Sequence, residues 1–131
     1  MRVSCIDRDK LEKIHAYFGV ELGDNIFEVY SIGKFKRDKC YLLKIGKGHL
    51  DWYRTELFQI IDDSIPYYWI NEKPGLFSTL KNNKYDFSIA LKEYWGPEEF
   101  INNKNFLFDI FEDFEEADNF ADEVIKKYQL I

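Results

Sequence analysis

The residues best suited to chemistry in this chain are few, beginning with two histidines, His15 and His49. His49-Leu50-Asp51 sets an imidazole two positions from a carboxylate. Such a pair can orient a general base or offer two metal ligands. Either role needs further converging groups, and no third ligand stands near in sequence. His15 falls beside the apolar stripe of a predicted helix, where a boundary position is the plainer reading. Cys5 and Cys40 form no CxxC pair. Cys40 has lysines around it, which favour a thiolate, but it lies in a predicted strand, where a sheet cysteine is simpler. Asp62-Asp63, Glu98-Glu99 and Glu115-Glu116 pair carboxylates in sequence only. Adjacent side chains point to opposite faces of a strand and diverge on a helix, so none makes a two-carboxylate site alone. Asp86 and Lys92 form only the outline of a nuclease-like set. Gly46-Lys47-Gly48 lacks the further glycines and the Ser/Thr of a phosphate loop and reads as a turn. GxSxG, HExxH and GxGxxG are absent. The expectation is no catalytic residue, no metal and no cofactor.

Charge and aromatic placement are more informative. No Lys or Arg lies between Lys104 and Lys126, a stretch holding Asp109, Glu112, Asp113, Glu115, Glu116, Asp118, Asp122 and Glu123. These are eight of the 24 acids; elsewhere 16 acids face 18 bases, so this segment supplies all of the net charge of −6. A basic cluster lies at Lys34, Lys36, Arg37, Lys39, Lys44 and Lys47. The two clusters read as solvated faces, in part turned toward each other, or as an acidic surface that meets a basic protein. The readings are compatible. Tyr67-Tyr68-Trp69, Trp95 and their neighbours are large aromatics, and a run of three must send residues to both faces of a strand. Tyr and Trp are favoured interface anchors. Asp109, Glu112, Asp118, Asp122 and Glu123, with Tyr68, Trp69 and Trp95, are therefore the candidate partner-binding residues.

The elements that position them follow from periodicity. Asp7 caps a predicted helix over residues 7 to 18, with Leu11, Ile14 and Phe18 at helical spacing and Gly19 at its end. Strands are predicted over 26 to 32 and 39 to 45, joined by a polar loop from Gly33 to Asp38. Residues 51 to 62 fit a helix capped by Asp51 and equally a strand. Tyr67 to Ile70 reads as a short strand. Lys73-Pro74-Gly75 suits a type II turn. Leu76 to Leu80 and Tyr85 to Trp95 read as a second hairpin around Asn82-Asn83, ended by Gly96-Pro97. Phe106 to Phe111 reads as another strand. The last helix is the clearest: Asp113 caps it, Glu116 closes a capping box, and Phe114, Ala117, Phe120, Ala121, Val124, Ile125 and Tyr128 form its stripe. First-turn acids and Lys126-Lys127 at its end suit the macrodipole, and Asp122 and Glu123 should face solvent. The fold expected is a single α+β domain over residues 1–131, with a mainly antiparallel sheet and helices at the N- and C-terminal ends. Helices should cover one sheet face and leave the other open.

Composition bounds the function. With 46% hydrophobic residues, 12 Phe and 9 Tyr, the chain carries enough apolar surface for a core. An acidic balance disfavours general nucleic-acid binding. No apolar run is long enough to span a membrane, and the N-terminus lacks the apolar region of a secretory signal. The expected location is the cytoplasm. In size, acidity and lack of catalytic motifs across the whole chain, the sequence resembles the immunity proteins paired with bacterial polymorphic or contact-dependent toxins. That resemblance implies an antitoxin whose partner is a basic, often nuclease-type, toxin or effector domain. The alternatives are a small enzyme or ligand-binding domain with an unrecognised pocket, and an accessory subunit of a larger assembly.

Overall fold

A computed structural model describes residues 1–6, 26–36, 38–45, 49–73, 80–81, 88–103 and 105–129. The predicted helix over 7 to 18, His15, the Gly46–Gly48 turn, Pro74-Gly75 and most of the second hairpin, with Asp86, lie outside the described residues. The chain is α+β, and every strand pairing described is antiparallel.

A five-stranded sheet forms the middle layer. Its strands are β3 (Ser31–Phe35), β4 (Asp38–Lys44), β5 (Leu50–Arg54), β7 (Trp69–Glu72) and β10 (Leu91–Pro97), in the order β5-β4-β3-β10-β7. A three-stranded sheet, β2 (Ile26–Glu28), β1 (Arg2–Cys5) and β6 (Phe58–Asp62), forms an outer layer in that order. A two-stranded ladder, β8 (Leu80–Lys81) with β9 (Ser88–Ile89), marks the base of the predicted second hairpin. Three described helices follow: α1 (Glu98–Asn102), α2 (Phe106–Glu112) and α3 (Phe114–Gln129).

The middle sheet is covered on both faces, so the expected open face is not there. Ile32, Tyr41, Leu43 and Tyr53 pack on one side against Val3, Cys5, Phe27 and Phe58 of the outer sheet. Leu42, Leu50, Leu91 and Tyr94 pack on the other against Phe100, Phe106, Ile110, Ala117, Ala121 and Val124 of the helices. The cause is visible in β4, where Cys40, Tyr41, Leu42 and Leu43 are buried in succession. Alternate residues point to opposite faces, so four consecutive apolar positions need two covers.

Two of the crossings between sheets are made by short corners. At Val29-Tyr30 the chain leaves the outer sheet: Val29 N–H donates to the Met1 carbonyl (3.0 Å) and Tyr30 N–H to the Leu42 carbonyl (2.8 Å). The predicted strand over 26 to 32 is thus two strands in two sheets. At Thr55–Leu57 a single 3-10 turn carries β5 into β6, which resolves the ambiguous stretch as two strands around a corner. The first hairpin is tighter than expected. β3 runs on to Phe35, which pairs with Asp38, and Lys36 (φ 51) takes a left-handed conformation at the turn. Gly33 leaves room there, since a Cβ would stand 2.9 Å from the Phe35 ring and 3.1 Å from that of Trp52.

Phe106 to Phe111 is helix, not strand. The Asn103 side-chain oxygen accepts the backbone N–H groups of Asn105 (2.9 Å) and Phe106 (3.2 Å), which turns the chain into α2. Its residues Phe106 to Ile110 are all buried, and a run that is apolar except for Asp109 carries no period that separates a buried helix from a buried strand. Helix α3 follows its expected span. The Asp113 carboxylate accepts the Glu116 N–H (3.3 Å), Glu115 and Glu116 lie in its first turn, and Lys126 and Lys127 in its last.

Candidate functional site

Helix α3 lies along β5 with its stripe inward: Ala117, Ala121 and Val124 are buried, and Phe120, Ile125 and Tyr128 pack at the edge of that core. Two of its acids turn back onto the sheet. Asp118 contacts His49 Nδ1 through one oxygen (2.6 Å) and accepts the Leu50 N–H through the other (2.9 Å). Asp122 pairs with Lys44 Nζ at 3.3 Å. The basic strand and the acidic helix thus face each other in part, as one reading of the charge clusters anticipates. His49 also stacks on the Phe114 ring, with centroids 5.3 Å apart.

The sequence pairing of His49 with Asp51 does not form the contact expected of a dyad. Asp51 accepts its neighbour's N–H, from Trp52, at 2.8 Å. His49 is instead held by Asp118 of α3. Cys5 and Cys40 are both buried. Burial pushes the Cys40 thiol up to about 11, with the nearby Asp38 carboxylate adding and Arg54 opposing. That is the reverse of nucleophile activation. Among the described residues, no three His, Cys, Asp or Glu side chains converge as a metal site.

The other candidate residues scatter. Asp109 is 4% exposed, so its carboxylate does not lie on the open surface of the helix layer. It lines a pocket of about 190 Å³ with Asn103, Asn105, Asp113, Glu116 and Phe120. Glu112 and Glu123 are exposed. Trp69 and Trp95 are half-buried against the core between the two sheets, and Lys39 Nζ lies 5.1 Å from the Trp95 ring centroid.

Tyr68 belongs to a tighter group. Tyr67 and Tyr68 are the corner residues of a turn closed by Trp69 N–H donating to the Pro66 carbonyl (3.1 Å). The strand starts only at Trp69, so the turn, and not strand alternation, lifts both rings. Tyr68 stacks on Tyr128 of α3 with centroids 4.0 Å apart and planes at 5°. Tyr67 is 74% exposed and stands edge-on to both, at 5.4 Å and 6.3 Å. The Tyr128 hydroxyl donates to Glu99 Oε1 (2.7 Å), and Lys127 Nζ pairs with Glu99 Oε2 (3.3 Å).

Electrostatics join this group to the sheet-facing acids. Burial pushes the Tyr30 phenol up to about 12, and Asp122, Asp118 and Glu28 add to the rise. The Tyr68 phenol is also raised by burial, with Glu28, Tyr67 and Glu99 contributing. Glu28 thus acts on both Tyr30 and Tyr68. The sequence gives no sign of the parts played by Tyr30 and Glu99; Tyr67 stands in the aromatic run but outside the candidate binding set, and Tyr128 only in the core stripe. The one available signal was the Tyr67-Tyr68 pair directly after Pro66, a turn position.

Glu99 gives a pH test. Burial pushes its carboxyl up, but the Tyr128 hydroxyl, a backbone N–H and Lys127 outweigh it and hold the group below its ordinary value of 4.5. A depressed carboxyl contributes stability that is present above the unfolded value and is lost as pH falls through the folded one. The clamp between α1 and α3 should therefore release only in acid, below pH 4.5. Tyr128→Phe keeps the stack and removes the donor. The expected results are a Glu99 carboxyl that moves up toward its ordinary value, read by NMR titration, and a stability loss of about 1 kcal/mol at neutral pH. An unmoved Glu99 titration would refute the clamp.

No family model matches the chain, and no curated protein or solved structure matches it either.

Proposed function

We propose that the protein binds and neutralises a basic protein partner, as an immunity protein does for a bacterial toxin or effector domain, acting in the cytoplasm. The observation that carries this reading is the tyrosine group at the C-terminal end of α3, held by Glu99: Tyr67 is 74% exposed beside the stacked Tyr68 and Tyr128. Tyrosine presents a large, rigid contact area with a polar tip and loses little rotamer freedom on binding. Glu112, Asp113, Glu115, Glu116 and Glu123 are exposed along α2 and α3, and such a field speeds encounter with a cationic partner. The internal pairing of Asp118 and Asp122 moves the steering role onto these other acids.

The test is a triple charge reversal, Glu115→Lys, Glu116→Lys and Glu123→Lys, all at exposed positions. Association with a basic protein partner, once isolated by pull-down with this chain, should slow at least about tenfold at low salt, and its rate should lose most of its dependence on ionic strength. An unchanged association rate with the same salt slope would sink the acidic-face reading.

A further inference from the structure

We propose that the Tyr67–Tyr68–Tyr128 group is an arginine-receiving anchor, the point at which a guanidinium of the partner docks. This deepens the proposed function and rests on it for the partner's basic character. Three observations carry it. First, the rings are held ready: the turn from Pro66 to Trp69 fixes two of them, and the 4.0 Å stack on Tyr128 ties the turn to α3. Second, the charge around the rings is negative. Glu28 and Glu99 act on Tyr68, and Glu99 and Glu98 act on Tyr128, while Lys127 is already engaged by Glu99. Third, the chain itself places a cation here, with Lys127 Nζ 5.2 Å from the Tyr128 centroid. The contact shows that a ring of this group receives a cation, and the charge of Lys127 is itself offset by its pair with Glu99.

The stated chemistry is a guanidinium and not an ammonium. A planar guanidinium stacks on an aromatic face while its rim N–H groups reach carboxylates, and it sheds water more readily than an ammonium. Tyr67, mostly exposed, offers the ring surface; Glu98, exposed on the first turn of α1 and acting on the neighbouring Tyr128, is the carboxylate for the rim. Glu98 already accepts an N–H from Asn102 (3.1 Å), and a carboxylate has capacity for further donors.

The experiment is an NMR titration of the ¹⁵N-labelled full chain with a capped tetra-arginine peptide, with tetra-lysine and tetra-glutamate peptides as controls. Tetra-arginine should shift Tyr67, Tyr68 and Tyr128 and bind more tightly than tetra-lysine. Tyr67→Ala should weaken tetra-arginine binding about threefold, and Tyr67→Phe should restore it, a pattern expected of an exposed cation–π contact. Tetra-glutamate should leave these resonances in place. Equal binding of the arginine and lysine peptides, shifts confined to Glu112–Glu116, or an unaffected Tyr67→Ala variant would each overturn the anchor. The two proposals fail separately. Partner association that slows under the triple charge reversal but ignores Tyr67→Ala leaves the acidic-face reading and removes the anchor. Arginine binding at the tyrosines, with partner association insensitive to the charge reversal, does the opposite.

Discussion

Gly96→Ala is expected to destabilise the protein by about 3 kcal/mol, near the upper end for overpacking a core. A Cβ at Gly96 would stand 2.5 Å from the Ser31 Cβ and 2.6 Å from the Tyr94 hydroxyl oxygen. Neither neighbour can yield cheaply. The Ser31 Cβ is fixed to the backbone of β3, and Ser31 is fully buried. Tyr94 is also fully buried, and its hydroxyl donates to the Pro97 carbonyl at 2.7 Å. A methyl group must either part β3 from β10 at the centre of the middle sheet or push the ring into the helix layer and break that bond. Gly33 is the internal comparison: the atoms a Cβ would meet there are outer ring atoms of Phe35 and Trp52. Gly33→Ala should therefore cost clearly less. Chemical denaturation at constant m measures both; equal losses would show that β3 and β10 have slack.

Asp118→Ala is expected to cost about 2 to 3 kcal/mol, the range for losing charged hydrogen bonds to a partly buried group. The Asp118 side chain is 16% exposed, and both of its oxygens are used. Truncation leaves the N–H of Leu50, a residue 1% exposed, without its acceptor, and frees His49 from the helix. Asp118→Asn retains an acceptor for Leu50 and should recover about half of the loss. Glu123→Ala, on the solvent side, should change stability by less than about 0.5 kcal/mol. Similar losses at both positions would refute the assignment of Asp118 to the fold. If the assignment holds, a binding defect measured at Asp118 would report unfolding as much as lost contact.

The sequence shows how far periodicity reaches. Helix α3 was legible because its stripe, its Asp113 cap and its terminal lysines all agree. The α+β class and the antiparallel pairing were legible for the same reason of consistent local signals. Helix α2 was not, because Phe106 to Ile110 is buried on every side and apolar except for Asp109, and its start depends on a side-chain bond from Asn103. The outer sheet was hidden in another way. Its strands are short and come from residues far apart: Ser4 pairs with Ile26 on one side and Gln59 on the other. No window of sequence contains that arrangement. At the candidate site, residue type was legible and allegiance was not. The acidic run reads as one surface, yet Asp109 is buried and Asp118 and Asp122 are held by the sheet. Only contacts between residues about seventy positions apart decide that.

The covering of the middle sheet on both faces also sets an order of assembly. Strands β3, β4 and β5 leave the ribosome early and can pair locally, but β3 must wait for β10 to complete the centre of the sheet. The side carrying Leu42 and Leu50 must then wait for α1, α2 and α3, the last described elements to be made. Through most of its synthesis the chain therefore carries an uncovered apolar sheet with an unpaired central edge, the condition in which nascent chains associate wrongly. The acid-rich helix α3 follows α1 and α2, and a chain cut short before Phe114 would leave the face without Ala117, Ala121 and Val124 of its cover.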